Sequence, residues 1–160
     1  MRPYSHQPQT IMKKELAVAA LRNGTVIDHI PPRAVFRIVE MLGLSSEPGA
    51  ITIGNNLPSE NLGLKGIIKV SDREFAREDI NRIALVAPSA VINTIRDYTV
   101  VSKTRVELPD ELTGLCTCPN PKCITRNEPM PSRFHKVLEN GQVRLRCHYC
   151  EHELDPQTLL

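Results

Sequence analysis

The amino-acid sequence predicts an α+β protein: an antiparallel sheet with two helices on one face, followed by a small β domain built on cysteines. Three observations carry this reading. Residues 24–101 alternate short β-branched runs with two apolar stripes of helical period. A polar, proline-marked passage, Leu108-Pro-Asp-Glu-Leu112, then breaks the pattern. All five cysteines follow it, in the last third of the chain.

Taken in order, Met1 to Thr10 holds two prolines, two glutamines and a histidine without periodicity, and reads as a flexible arm over residues 1–14. Leu16 to Leu21 suits helix or strand. Asn23-Gly24 supplies a turn, and Thr25 to Ile30 is a strand rich in β-branched residues. Pro31 and Pro32 end that strand and open a helix, where proline is tolerated in the first turn. Val35, Ile38, Val39 and Leu42 form its apolar stripe, and Gly43 closes it.

Ala50 to Ile53 is a short strand, and residues 54–63 are expected as an irregular loop because Gly, Asn and Pro crowd there. Gly66 to Val70 is the next strand. Ser71 or Asp72 is expected to cap a helix around Glu78 to Val86, buried through Ile80, Ile83 and Ala84 and stopped by Pro88. Ala90 to Ile95 and Tyr98 to Val101 are strands joined by an Arg96-Asp97 turn. The order strand, helix, strand, strand, helix, strand is the split βαβ or ferredoxin-like arrangement. The predicted division is residues 15–105 and 106–160.

In the second part, Cys118-Pro-Asn-Pro-Lys-Cys123 and Cys147-His-Tyr-Cys150 form a C-x4-C and a C-x2-C pair. Two such turns brought together make a tetrahedral S4 cage, which suits Zn²⁺. In an intracellular protein this spacing reads as metal rather than disulfide. Cys118, Cys123, Cys147 and Cys150 are the expected ligands. Cys116, two residues before Cys118, is expected as a small apolar residue on the preceding strand. His135, His148 and His152 are rival ligands, and His148 inside its turn is expected to point away. Four thiolates leave no open position for water, so the site is structural rather than catalytic. Such an ion stabilises a small domain by on the order of 10–16 kcal/mol. A further strand, Gln142 to Cys147, feeds the second pair.

The net charge is +2, and residues 106–160 carry six Lys and Arg against eight Asp and Glu. A slightly acidic cysteine module does not suit gripping phosphodiester backbones, so no nucleic-acid partner is expected. Tryptophan is absent, and three Phe and three Tyr give few stacking platforms. No apolar run reaches membrane-spanning length and no charged-then-apolar leader opens the chain. The expectation is a soluble cytoplasmic protein with no membrane partner.

Residues 15–105 show no nucleophile elbow, glycine-rich phosphate loop or paired carboxylates. Asp28-His29 lies where a strand meets two prolines; Lys65 and Lys69 flank the third strand, and Lys103 follows the last. In a ferredoxin-like sheet the first, third and fourth strands are neighbours, so these cations either converge on one anion or are solvated surface charges. Asp28-His29 as an acid–base pair would need a nucleophile or open metal that the chain does not offer.

The stretches Asn23 to Pro31, Ile51 to Ser59, Leu85 to Pro88 and Asn93 to Tyr98, with both cysteine pairs, closely resemble the regulatory chain of aspartate carbamoyltransferase. The likeness runs from about Leu16 to Asp155. It implies a non-catalytic subunit of pyrimidine biosynthesis that binds CTP and ATP, dimerises and links catalytic trimers through its zinc domain. It implies Asp28 and Lys69 at the ribose and His29 and Lys103 near the phosphates. Main-chain groups around Ala20, Leu21, Ile95 and Tyr98 would read the base, with Asn93 and Val100 lining the pocket. For Lys65 it implies a second nucleotide joined through Mg²⁺. Asn120 and the loop near Lys122 would touch the catalytic chain.

Overall fold

The computed structural model describes residues 20–159. The arm expected over residues 1–14 lies outside them, as does Leu16 to Ala19; Ala20 and Leu21 belong to no helix or strand. The first sheet contains β1 (Gly24–Ile30), β2 (Ile51–Ser59), β3 (Gly63–Ser71), β4 (Val91–Arg96) and β5 (Thr99–Arg105). Their spatial order is β2-β3-β1-β4-β5, with every neighbouring pair antiparallel. Two helices, α1 (Val35–Met41) and α2 (Arg77–Val86), complete the ferredoxin-like pattern.

The apolar stripe places Val35 and Ile38 of α1 and Ile83 of α2 against Ile27, Ile68, Val70 and Ile92 of the sheet. Pro32–Ala34 forms a separate 3-10 turn that leads into α1, where the prolines were expected to open the helix itself, and Gly43 ends α1 with φ of 62°, a conformation glycine adopts without strain. The helix sits directly on β3 at Gly66, where an added Cβ would lie 2.0 Å from Val35 Cγ2.

Four further sequence expectations are corrected. Residues 54–59 are strand, not loop, and β2 runs unbroken to Ser59 against β3. A register shift between Gly54 and Leu57 absorbs the turn-forming residues, and Asn55 Nδ2 donates to the Pro32 carbonyl at 3.1 Å. Pro58 is tolerated because β2 is an edge strand. Lys65 and Lys69 lie within β3 rather than at its ends, and Lys103 lies inside β5, which continues to Arg105. Helix α2 begins at Arg77 after Ala76 with no side-chain cap; Glu78 and Asp79 in its first turn complement the helix dipole instead.

The second sheet, in the order β6-β7-β8-β9, comprises β6 (Glu111–Thr113), β7 (Arg133–Glu139), β8 (Gln142–Cys147) and β9 (Glu153–Leu154). A single-turn helix, α3 (Ile124–Asn127), follows Cys123. The fourth correction is Cys116, which stands in the loop after β6 and not on a strand. Phe134, Leu145 and Leu112 are fully buried and, with three of the cysteines, form a core continuous with that of the first sheet. The final turn, Pro156–Leu159, packs back on α2, and Arg33 on the turn before α1 hydrogen-bonds Gln157.

Substituting Gly66 with Ala forces α1 off β3. The expected cost is about 1–3 kcal/mol, from overpacking a site that cannot give way. Urea unfolding checks it: an unchanged midpoint would show that the helix–strand approach is looser than 2.0 Å implies.

Candidate functional site

The two cysteine turns bring the four expected sulfurs, Cys118, Cys123, Cys147 and Cys150, within 4.8 Å of one another. Cys118 Sγ lies 3.6 Å from Cys150 Sγ, and Cys123 Sγ lies 3.8 Å from Cys147 Sγ. A tetrahedral ion with metal–sulfur bonds of ~2.3 Å has sulfurs about 3.8 Å apart, so the donor set fits zinc in both chemistry and spacing.

Local sequence fixes the turns. Asn120 accepts from the Lys122 amide through Oδ1 and from the Cys123 amide through its carbonyl, each at 3.0 Å. The Cys147 carbonyl accepts from the Glu151 amide at 3.0 Å. Arg126 Nη1 donates to the Cys118 carbonyl at 3.0 Å. As free thiols Cys118 and Cys123 are mismatched: burial pushes Cys118 up to about 12, whereas the Thr125 hydroxyl pulls Cys123 down to about 7. Burial also lifts the Cys116 thiol to about 11, which removes the reactive thiolate that chemistry at this residue would need. Among the described residues no histidine joins the cluster. His148 is exposed, as its place in the turn implied.

The second constellation lies on the sheet face opposite the helices. Lys69 of β3 stands across from Val26, Val26 across from Asn93 of β4, and Asn93 across from Lys103 of β5. Residues directly opposite in antiparallel strands share a face, so these four form one row across the sheet. Lys69 and Lys103 are three strand spacings apart, about 14 Å along the row. Asp28 lies two residues from Val26 and therefore faces the same way. Its neighbour across β4 is Val91, which stands opposite Arg105. Sequence reading missed Arg105 because it expected β5 to end at Val101; with the true length, alternation puts Arg105 beside Lys103 on this face.

At Asp28-His29 the pairing of β1 with β3 shifts register, and His29 adopts a left-handed φ of 57°. The kink leaves the Asp28 carboxylate within reach of Lys65 on β3. Lys65 Nζ approaches Asp28 Oδ1 at 2.8 Å and Oδ2 at 3.1 Å, and the His29 amide donates to Oδ1 at 2.6 Å. Burial works to raise the Asp28 pKa, but the Lys65 hydrogen bond, the His29 amide and their charges together outweigh it and leave the carboxyl below its usual value. Burial lowers the Lys69 pKa while Asp28 pulls it back up. His29 Nδ1 is buried, 3.5 Å from Asp28 Oδ2, without the geometry of a hydrogen bond. The positions that the resemblance implies around a base lie at the other end of the strands. Gly24 pairs with Ile95, and the Tyr98 amide donates to the Arg22 carbonyl at 2.9 Å. Tyr98 and Val100 are exposed, with Tyr98 at φ of 63°.

Because the Asp28 pKa is depressed in the folded chain, its contribution to stability is complete above the unfolded carboxylate value. It disappears as pH falls through the lower folded value. Asp28→Asn should therefore cost on the order of 1 kcal/mol at neutral pH, intermediate between exposed and buried pairs. The gap to the parent chain should close in acid. A pH-independent difference in denaturation midpoints would rule out the Lys65 pair as its source.

Comparison with known proteins agrees with both halves. Residues 16–107 match the aspartate carbamoyltransferase regulatory chain, allosteric domain, and residues 110–159 match the metal binding domain of the same chain. An aspartate carbamoyltransferase regulatory chain from Parabacteroides distasonis is 53% identical over 148 residues, covering 92% of this chain and 96% of the relative. The one from Bacteroides thetaiotaomicron is 55% identical over 141 residues, 88% and 92% of the two chains. That from Thermococcus gammatolerans is 44% identical over 147 residues, 91% and 97%. Among the described residues no helix is long and apolar enough to cross a membrane. With its allosteric domain, its metal-binding domain and its four-cysteine cluster, the chain belongs to the aspartate carbamoyltransferase regulatory chain family, a non-catalytic subunit of that enzyme.

Proposed function

We propose that this chain senses nucleoside triphosphates on the open face of its first sheet and transmits their binding to a catalytic chain through a structural zinc domain. Residues 15–105 are the sensor and residues 106–160 the zinc-bearing contact, with Cys118, Cys123, Cys147 and Cys150 as ligands. The observation that carries the reading is the row Lys69, Val26, Asn93, Lys103 with Asp28 beside it. Lysines ~14 Å apart at the backbone, with a carboxylate between them along the sheet, suit an extended molecule with a sugar at one end and phosphates at the other. Asp28 accepts from ribose hydroxyls and Lys69 flanks it; His29 and Lys103 meet the phosphates. Main-chain groups near Ala20, Leu21, Ile95 and Tyr98 read the base, beside Asn93 and Val100. Lys65 serves a second nucleotide joined through Mg²⁺.

CTP and ATP are the effectors in this reading, and backbone groups suit a site shared by two bases, since amides and carbonyls serve both. The edge strand β5 exposes Val100 and Val101, and Tyr98 in the turn before it is exposed too, which supports a dimer of regulatory chains joined near that edge. Such dimers bridge catalytic trimers, with Asn120 and Lys122 at the contact. The effect on the enzyme equals the difference in nucleotide affinity between its two quaternary states, ordinarily ~1–3 kcal/mol.

Two experiments test this. Calorimetry of CTP into the zinc-loaded chain should give saturable binding that Lys103→Ala weakens without changing zinc content; unchanged affinity would remove Lys103 from the site. Cys147→Ser should release zinc and abolish assembly with catalytic trimers. A stable zinc-free complex would sink the bridge.

A further inference from the structure

The metal-binding domain carries a second cluster of donors that the four-cysteine centre does not use. His135 lies on β7, and His148 lies inside the Cys147–Cys150 turn. The turn brings the two rings together: His135 Nε2 and His148 Nδ1 are 2.9 Å apart, with ring planes 51° from parallel. The neighbours hold this arrangement. The His148 amide donates to the Arg133 carbonyl at 2.8 Å, and Tyr149 packs edge-on against the His148 ring with centroids 5.0 Å apart. On the far side of His135, Nδ1 lies 3.9 Å from Glu111 Oε2. Glu111 is itself fixed by Arg133 through two bonds of 2.6 and 3.0 Å.

We propose that His135 and His148 form a second, solvent-open site for a borderline divalent transition ion such as Ni²⁺ or Zn²⁺, with Glu111 as its outer carboxylate. Two imidazole nitrogens bound in adjacent positions at ~2.1 Å stand about 3.0 Å apart, and imidazole suits these ions. The 2.9 Å seen is a hydrogen-bond separation, with the two nitrogens facing each other, and a small turn of each ring redirects both lone pairs to one ion. A carboxylate beside the non-ligating nitrogen of a metal-bound histidine fixes its tautomer, so Glu111 favours the proton on Nδ1 and the lone pair on Nε2. In the ion-free pair one proton lies between the rings. On binding it moves to the outward Nε2 of His148, so neutral rings release no net proton. The nearby cations do not oppose an ion, because Arg133 is paired with Glu111 and Arg146, opposite His135, is paired with Glu153. Only two protein donors are used. The remaining positions hold water or accept a side chain from whatever molecule docks on this face.

The site is distinct from the four sulfurs in donor type and in exposure, since three of those cysteines are buried while His148 is exposed and His135 partly so. The test uses the full untagged chain already loaded with one zinc per molecule, dialysed against micromolar Ni²⁺. One nickel should be taken up beyond the zinc, with ring resonances of His135 and His148 broadened by the paramagnetic ion. His135→Ala and His148→Ala should each lose that uptake, and Glu111→Gln should weaken it by on the order of tenfold. His152→Ala, outside the pair, should bind as the parent does. Zinc content read on the same samples guards against misfolding. Nickel uptake that survives both histidine variants in zinc-loaded protein overturns the proposal, as does uptake without broadening of these rings.

Discussion

Four buried or half-buried thiols within 4.8 Å of one another set the terms for the second half of this molecule. As thiols they are poor hydrogen-bond partners, and as thiolates they repel at close range in a medium that screens weakly. Only a cation resolves the conflict, and it does so while tying two distant turns together. The small second sheet has Phe134, Leu112 and Leu145 as its large fully buried side chains. So little apolar burial does not hold a domain of this size without a staple. The cluster is thus the centre of that core, and the strands, the knuckles and the surface they present depend on it.

The first sheet solves a different problem. One face is filled by helices and the other is left to polar work. The register shift at Asp28-His29 is the local device, because it bends β1 where the Asp28 carboxylate meets Lys65. A half-buried ion pair of this kind adds little net stability. Its value is positional: Asp28 is held ionised and fixed beside a row that has a lysine at each end.

Much of this was legible from residue pattern. The stripe Val35, Ile38, Val39, Leu42 and the spacing of the cysteine pairs each report one dominant constraint, helical burial in the first case and chelation in the second. The misreadings arose where two constraints compete. Gly54, Asn55, Asn56 and Pro58 have turn chemistry, but the edge of a sheet tolerates proline and a bulge, and pairing with β3 won. Cys116 looked like a strand residue by its apolar company, yet the approach to the first knuckle had already bent the chain away. Strand β7 was missed because its burial depends almost wholly on Phe134, too few apolar positions to show a period. Lys69, Asn93 and Lys103 could be named individually, but their alignment in one row is a property of register, which only the paired strands reveal.

The return of the last turn to α2 has a mechanical meaning. The chain leaves the first sheet through residues 106–110, where Val106 N–H bonds the Ala90 carbonyl and Lys136 holds both the Leu108 carbonyl and the Asp110 carboxylate. It comes back at Pro156–Leu159, against α2 and Arg33. Together with the apolar core that the two sheets share, these two crossings tie the halves more firmly than a single linker does. Any shift of one half against the other has to be accommodated at both crossings at once.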